Sequence, residues 1–250
     1  MLRLGKTEAR PDAVSFKLAD YLVSMPKPPA YFGHEAMVKN WGMLGNDSVG
    51  DCVLAGGAHE TEVWCAEGGK LVSFSPRSVI SDYSAITGYD PSDPSSDKGT
   101  DLQVAASYRR KTGLLDANGK RHRVGAYLAL TPGNWAQHLQ ALYLFGAVGI
   151  GIRFPRSAMD QFNAGKYWSL NKTSPIEGGH YVPLVAKRGA HLVCVTWGKL
   201  QPMTQAFFQY FNDESLVYVS AEMLNGQGKS PEGLNLVQLS ADLNALGGIR

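Results

Sequence analysis

NDSVGDCVLAGGAHETEVW, residues 46–64, sets one of the chain's three cysteines, Cys52, behind a glycine and an aspartate and ahead of a helix-like run. Val53, Leu54, Ala58, Val63 and Trp64 fit the apolar positions of a packed helix that starts at the cysteine, although the glycines of AGGAH lower its propensity. A thiol becomes a nucleophile when deprotonated, and a helix N-terminus favours the thiolate through the macrodipole and unpaired N–H groups. Gly50 permits a tight turn and close backbone approach, and Asn46 can offer an amide N–H to a developing oxyanion. Taken alone, a cysteine of this kind is more often structural than catalytic.

A catalytic thiol needs a base distant in sequence. Of six histidines, His180 in EGGHYVPLVA lies between glycines and the first residues of a buried strand, where its ring can face a cleft. His59 falls on the cysteine's own helix, His138 on another helix, and His34, His122 and His191 in polar loops.

The flanking chain predicts four helices and then strands. After Val53 to about Gly68 comes 74–89, with Ser75 as N-cap and Pro76 at the first helical position. Segments 101–113 and 134–146 follow. AVGIGIRF, HYVPLVAKR, AHLVCVTWG and LVYVS are short runs of β-branched and aromatic residues broken by Gly and Pro, the mark of strands. Helices early and strands late predict an α+β protein, with a helical lobe, a sheet lobe and a cleft between them. The proline-rich 25–33 reads as extended, and DPSDPSSDKGTD (90–101) as a solvated acidic loop, because its glycine and terminal carboxylate miss the calcium-loop positions.

With 250 residues, 44% of them hydrophobic, the chain can bury one sizeable core. A net charge of +2, without Lys/Arg clusters interleaved with aromatics, argues against nucleic-acid binding. The start lacks the apolar region of a secretory signal peptide, and 139–152 is too short and glycine-laced for a membrane span. Three widely spaced cysteines offer no metal clamp and point to free thiols in a reducing compartment. No G-x-S-x-G is present, and HETEV lacks the second histidine of a zinc-protease helix. No cofactor and no metal are expected.

The order Asn46-x-x-x-Gly50-Asp51-Cys52 followed by GGHYVPLVAKRGAHLVCVTWGK (178–199) resembles the papain-like cysteine peptidases. Members carry Gln-x-x-x-Gly-Ser-Cys ahead of a helix, and later a His-strand-turn-strand-Asn-Ser-Trp-Gly segment. His180 lies about 130 residues beyond Cys52, as the family spacing requires. The resemblance covers about residues 25–220 and implies a papain-like two-lobe α+β fold, helical over about 40–146 and an antiparallel sheet or barrel over about 147–220. Residues 1–24 remain as an N-terminal arm and 221–250 as a C-terminal extension. It further implies a thiol hydrolase acting on a peptide or amide substrate, with Cys52 as nucleophile, His180 as base and Asn46 in the oxyanion hole.

Three departures qualify this. Asn46 replaces glutamine, Asp51 puts a negative charge beside the thiol, and Val195 stands where the family orients its histidine with asparagine. Thr196, the next residue, is the nearest replacement. The first departure is mild, but Val195, Asp51 and an arm able to reach a neighbour keep open an alternative, a catalytically weak papain-like module in a phage particle or other assembly. The protein is expected in the cytoplasm or a virion. Gly133–Trp135, Tyr167 and Trp168 are expected near the cleft.

Overall fold

Pro28 and Pro29 lead into the first strand, β1 (Tyr31–Gly33). The computed structural model describes residues 2–10, 13, 14, 17, 18 and 27–223; the expected C-terminal extension beyond 223 lies outside them. Helix α1 (Cys52–Glu67) is buried from Cys52 through Ala66. A helix buried on all sides forms the centre of a molecule rather than its face. Its glycines are required there: a Cβ on Gly56 would sit 2.5 Å from the Tyr181 ring. The packing outweighs the roughly 1 kcal/mol that a helical glycine costs.

Helix α2 (Pro76–Thr87) starts at the Ser75 capping box, with proline in its first turn, and ends on Gly88 in the left-handed region. Helix α3 (Leu102–Lys111) is capped by Asp101 and carries Arg109, Arg110 and Lys111 in its last turn, the placement the helix dipole favours. A two-strand ribbon follows, β2 (Leu114–Leu115) with β3 (Arg121–His122), and then β4 (Ala126–Ala129). Helix α4 (Trp135–Phe145), capped by Asn134, stops at left-handed Gly146. The chain runs directly into β5 (Val148–Pro155), so the apolar stretch 139–152 is a helix feeding a strand.

Short α5 (Arg156–Asn163) precedes the 13-residue β6 (Ile176–Arg188). After it come β7 (His191–Thr196), β8 (Lys199–Thr204), α6 (Gln205–Phe211) and β9 (Asn212–Val219). The main sheet has the order β4-β9-β5-β6-β7-β8, with β1 also on β6, and all its pairs are antiparallel.

The two halves are less separate in sequence than expected. Strand β4, from the helical part, pairs with β9, and α5 and α6 interrupt the sheet part. His122 corrects the expected polar loop: it lies on β3 and is 3% exposed.

A buried ion pair joins the layers. Arg109 Nη1 lies 2.5 Å from Glu60 Oε2 on α1, and Tyr181 Oη on β6 donates to Glu60 Oε1 at 2.8 Å. The guanidinium also sits 3.9 Å from the centre of the Tyr218 ring. Glu60 thus ties α1 to β6 one residue from His180.

Candidate functional site

The loop 43–51 turns sharply into α1. Asn46 N–H donates to Met43 O at 3.0 Å and Val49 N–H to Gly45 O at 2.9 Å. Its last turn is fixed from outside: the Gly50 N–H donates to Asp97 Oδ2 at 2.8 Å, and the Tyr83 hydroxyl donates to Asp97 Oδ1. The acidic loop, expected merely to be solvated, therefore braces the turn that carries Cys52. No spacing pattern links positions 50 and 97, so this role is invisible in the sequence.

Cys52 is the first residue of α1, 2% exposed. The Tyr181 N–H donates to its sulfur at 3.4 Å. Burial above all pushes the thiol up to about 12, with the neighbouring Asp51 adding to the shift and the N–H groups of Tyr181 and Gly5 opposing it. Asp51 itself is buried with neither carboxylate oxygen in a normal hydrogen bond, although the Asn46 amide is close enough to offset part of the shift. Burial holds its carboxyl well above the usual range, a shift that works against a negative charge beside the thiol.

His180, on β6 and 1% exposed, faces the same small cavity as Cys52, Asn46, Thr196 and Trp197, a space of about 10 Å³. Its Nε2 lies 2.8 Å from the Thr196 hydroxyl at the end of β7. Its Nδ1 is buried without a hydrogen-bond partner. Burial lowers the ring to about 3, so in this arrangement thiol and imidazole are both neutral around pH 7.

Thr196, Trp197, Gly198 and Lys199 form a tight hairpin turn, with Thr196 paired to Lys199 and φ of +44° at Trp197 and +72° at Gly198. Two positive φ values make the turn that matches strand twist, normally built from Asn-Gly. Tryptophan in the first position is strained, and its ring lies flat on His180 at 4.4 Å with a 14° tilt. Phe154 closes another side edge-on at 5.4 Å. Val195 borders the cavity but packs with Trp41, Val63 and Val185 and offers the ring no side-chain hydrogen bond. The one-residue offset places threonine, not valine, on the imidazole.

Asn46 lines the cavity, but its amide donates to Val49 O at 3.0 Å; one of its two N–H groups is committed to its own loop. Tyr167, Trp168 and Gly133–Trp135 do not line the cavity. Trp168 is fully buried, packed on Phe154 with its indole N–H on Ala158 O at 3.0 Å. Tyr167 lies against His191, and Gly133 N–H bonds Asn212.

The described part of the N-terminal arm occupies the groove above these residues. Arg3 N–H donates to Asn46 O at 3.2 Å, Lys6 N–H to Gly179 O at 3.0 Å, and Thr100 N–H to Gly5 O at 2.7 Å. The Trp197 indole N–H donates to Arg3 O at 3.3 Å. Lys6 is anchored beneath, its Nζ 3.3 Å from Asp213 and 3.7 Å from Glu214. Nothing in the composition of the arm marks Arg3 to Lys6 for this position.

No protein-family model matches the chain, and no curated protein matches it by sequence. Solved structures do match its shape. Xylellain, a cysteine protease from Xylella fastidiosa, superposes with a TM-score of 0.65 at 12% identity, over 88% of this chain and 96% of that one. A procathepsin B from Trypanosoma congolense matches with a TM-score of 0.61 at 11% identity, covering 87% and 86%. A cysteine protease from Carica candamarcensis matches at 0.54 and 12% identity, over 77% and 99%. The chain has the papain-like two-lobe fold.

Proposed function

We propose that the chain is a thiol hydrolase of peptide or amide bonds, with Cys52 as nucleophile and His180 as base. The observation that carries this reading is the polarity of His180: Nε2 is engaged by Thr196, and Nδ1 is left without a partner in the cavity it shares with Cys52. A neutral imidazole that donates from Nε2–H has Nδ1 as its acceptor. The Cys52 proton moves to Nδ1, and the sulfur attacks the substrate carbonyl. The Cys52 N–H and the Asn46 amide hydrogen not held by Val49 O, turning from Asp51, receive the oxyanion. Imidazolium then returns its proton to the departing amine, leaving a thioester. Water, deprotonated by His180, releases the acid and restores the thiol. Thr196 fixes the tautomer and orientation of the ring and does not itself exchange a proton.

A substrate can reach the thiol only when residues 3–6 leave the groove. The same obstruction, with a neutral pair beneath it, favours a second reading: a catalytically silent fold serving as a component of an assembly such as a phage particle.

Labelling across pH 4 to 9 with an epoxysuccinyl probe and iodoacetamide, on the whole chain and on a form lacking residues 1–7, separates the two. Preferential modification of Cys52 below pH 7 in the shortened form, lost in His180→Ala, supports the hydrolase. Reaction at Cys52 no faster than at Cys65 or Cys194 in both forms removes it and leaves the silent module.

A further inference from the structure

The far end of α1 holds a second thiol and imidazole, unrelated to the cavity at Cys52. Cys65 lies in the last turn of α1 and is fully buried. Its Sγ is 3.8 Å from His122 Nδ1 on β3. That same nitrogen is 2.9 Å from Oε1 of Glu222, just past β9. The three donor atoms lie within 4.8 Å of one another. Glu222 comes this close because residue 68, at the helix end, is glycine: a Cβ there would sit 2.0 Å from Glu222 O.

The pair is poorly placed for nucleophilic catalysis. A thiolate at a helix C-terminus meets the negative end of the dipole. The arrangement is instead that of a ligand set. In a tetrahedral zinc site with Zn–S near 2.3 Å and Zn–N near 2.0 Å, sulfur and nitrogen stand about 3.5 Å apart. Metal-bound histidines also hand their other nitrogen to a carboxylate, which fixes the tautomer. Here His122 Nε2 is 3.2 Å from Asp116 Oδ2. Asp116 is in turn held rigid, its Oδ1 accepting the N–H groups of Asn118 and Lys120 at 2.9 and 2.8 Å. With Nε2–H donating to Asp116, Nδ1 turns its lone pair toward Sγ and Glu222 Oε1, the position in which one cation is shared by all three. Lys120 Nζ, 3.6 Å from Glu222 Oε1 on a largely exposed side chain, is the group the metal displaces into water.

We propose that Cys65, His122 and Glu222 bind one divalent ion of borderline softness, zinc foremost, which staples the segment after β9 to the end of α1. Thiol, imidazole and carboxylate together select zinc, or cobalt as its stand-in, over calcium or magnesium, which take oxygen ligands. Binding releases the Cys65 proton, so affinity weakens as pH falls.

The test uses the whole chain, stripped with a chelator and titrated with cobalt and with zinc. One equivalent of cobalt is expected to give a thiolate-to-metal charge-transfer band. The band should vanish in Cys65→Ser and His122→Asn, persist in Cys52→Ser, and require at least tenfold more metal in Glu222→Gln, whose partly exposed position spares the fold. Zinc at about 100 times its dissociation constant should raise the melting temperature of the wild type by several degrees, and not that of Cys65→Ser. The absence of a band and of a thermal shift in the wild type overturns the proposal. So does binding that survives Cys65→Ser and disappears in Cys52→Ser, which assigns the metal to the Cys52–His180 cavity. Because the wild-type readings decide by themselves, a variant that fails to fold does not spoil the test.

Discussion

The Thr196 hydroxyl lies 2.8 Å from His180 Nε2, and Trp197, the next residue, stacks on the same ring at 4.4 Å. One strand end therefore supplies both the hydrogen bond and the shield that fix the imidazole. Valine is nearly isosteric with threonine, so Thr196→Val removes the bond and keeps the packing. It leaves a buried ring nitrogen unsatisfied, costing about 1–3 kcal/mol. Turnover, or Cys52 alkylation in the arm-shortened protein, should fall at least about tenfold, with KM little changed. A Thr196→Ser variant, which keeps the hydroxyl, should retain most of the rate. Equal rates for the valine and serine variants would refute the orienting role.

The arm is held by close backbone contact, and Gly5 is where it comes nearest. A Cβ at Gly5 would sit 1.7 Å from Gly50 O, which no side-chain movement relieves. Gly5→Val should expel residues 3–6 from the groove while leaving the rest of the chain untouched. Water then reaches Cys52, whose thiol burial has pushed up to about 12. Each unit by which that value falls raises the thiolate fraction about tenfold at pH 7. Measured iodoacetamide rates at Cys52 should rise accordingly; unchanged rates would show that the arm does not control access.

Asp97 binds the Gly50 N–H and the Tyr83 hydroxyl together. Asp97→Ala strands a buried donor in the turn before Cys52, a loss of about 1–3 kcal/mol. Each kcal/mol should lower the melting temperature by roughly 2–4 °C in a chain of this size. An unchanged melting temperature, read by calorimetry, would contradict the bracing role.

What could be read from the sequence divides along physical lines. The helix starts at Ser75, Asp101 and Asn134 and the break at Gly146 are local events, written in capping side chains and glycine. The strands from Val148 onward are legible for the same reason, as β-branched runs. The family motif points to Cys52 and His180, with Thr196 as the nearest replacement for its asparagine, and one cavity brings the three together. What escaped depends on contacts between distant segments. The Asp97 brace, the arm across Asn46 and Gly179, and the burial of His122 between Asp116 and Glu222 each join positions whose spacing carries no pattern. Tyr167 and Trp168, expected near the cleft, do not line the cavity: Trp168 is buried against Phe154, and Tyr167 lies on His191.

The Glu60–Arg109 pair gives a test of how α1 is held. Both groups are buried, and removing one partner strands the other's charge. Arg109→Met should destabilise the protein by about 3–5 kcal/mol. Adding Glu60→Gln should recover much of that loss, because no uncompensated charge remains. Urea unfolding of the two single variants and the double variant measures the coupling; simple additivity would contradict it.

Glu62, buried on the same helix, accepts only the Phe74 N–H at 3.4 Å through Oε1, and its Oε2 has no partner. Burial raises its carboxyl to about 8 from an unfolded value near 4.5. The folded chain therefore holds this proton where the unfolded chain has lost it. Stability contributed by the group is intact below pH 4.5 and declines as pH rises toward 8. Glu62→Gln keeps the shape and cannot ionise, so its advantage over the wild type should be near zero at pH 4. It should grow to on the order of 3 kcal/mol at pH 7 and level off above 8. Shifts at the buried histidines are common to both proteins and cancel in the difference. Urea midpoints of the two proteins from pH 4 to 9 check this, and a difference that does not change with pH would mean Glu62 is ionised in the folded chain.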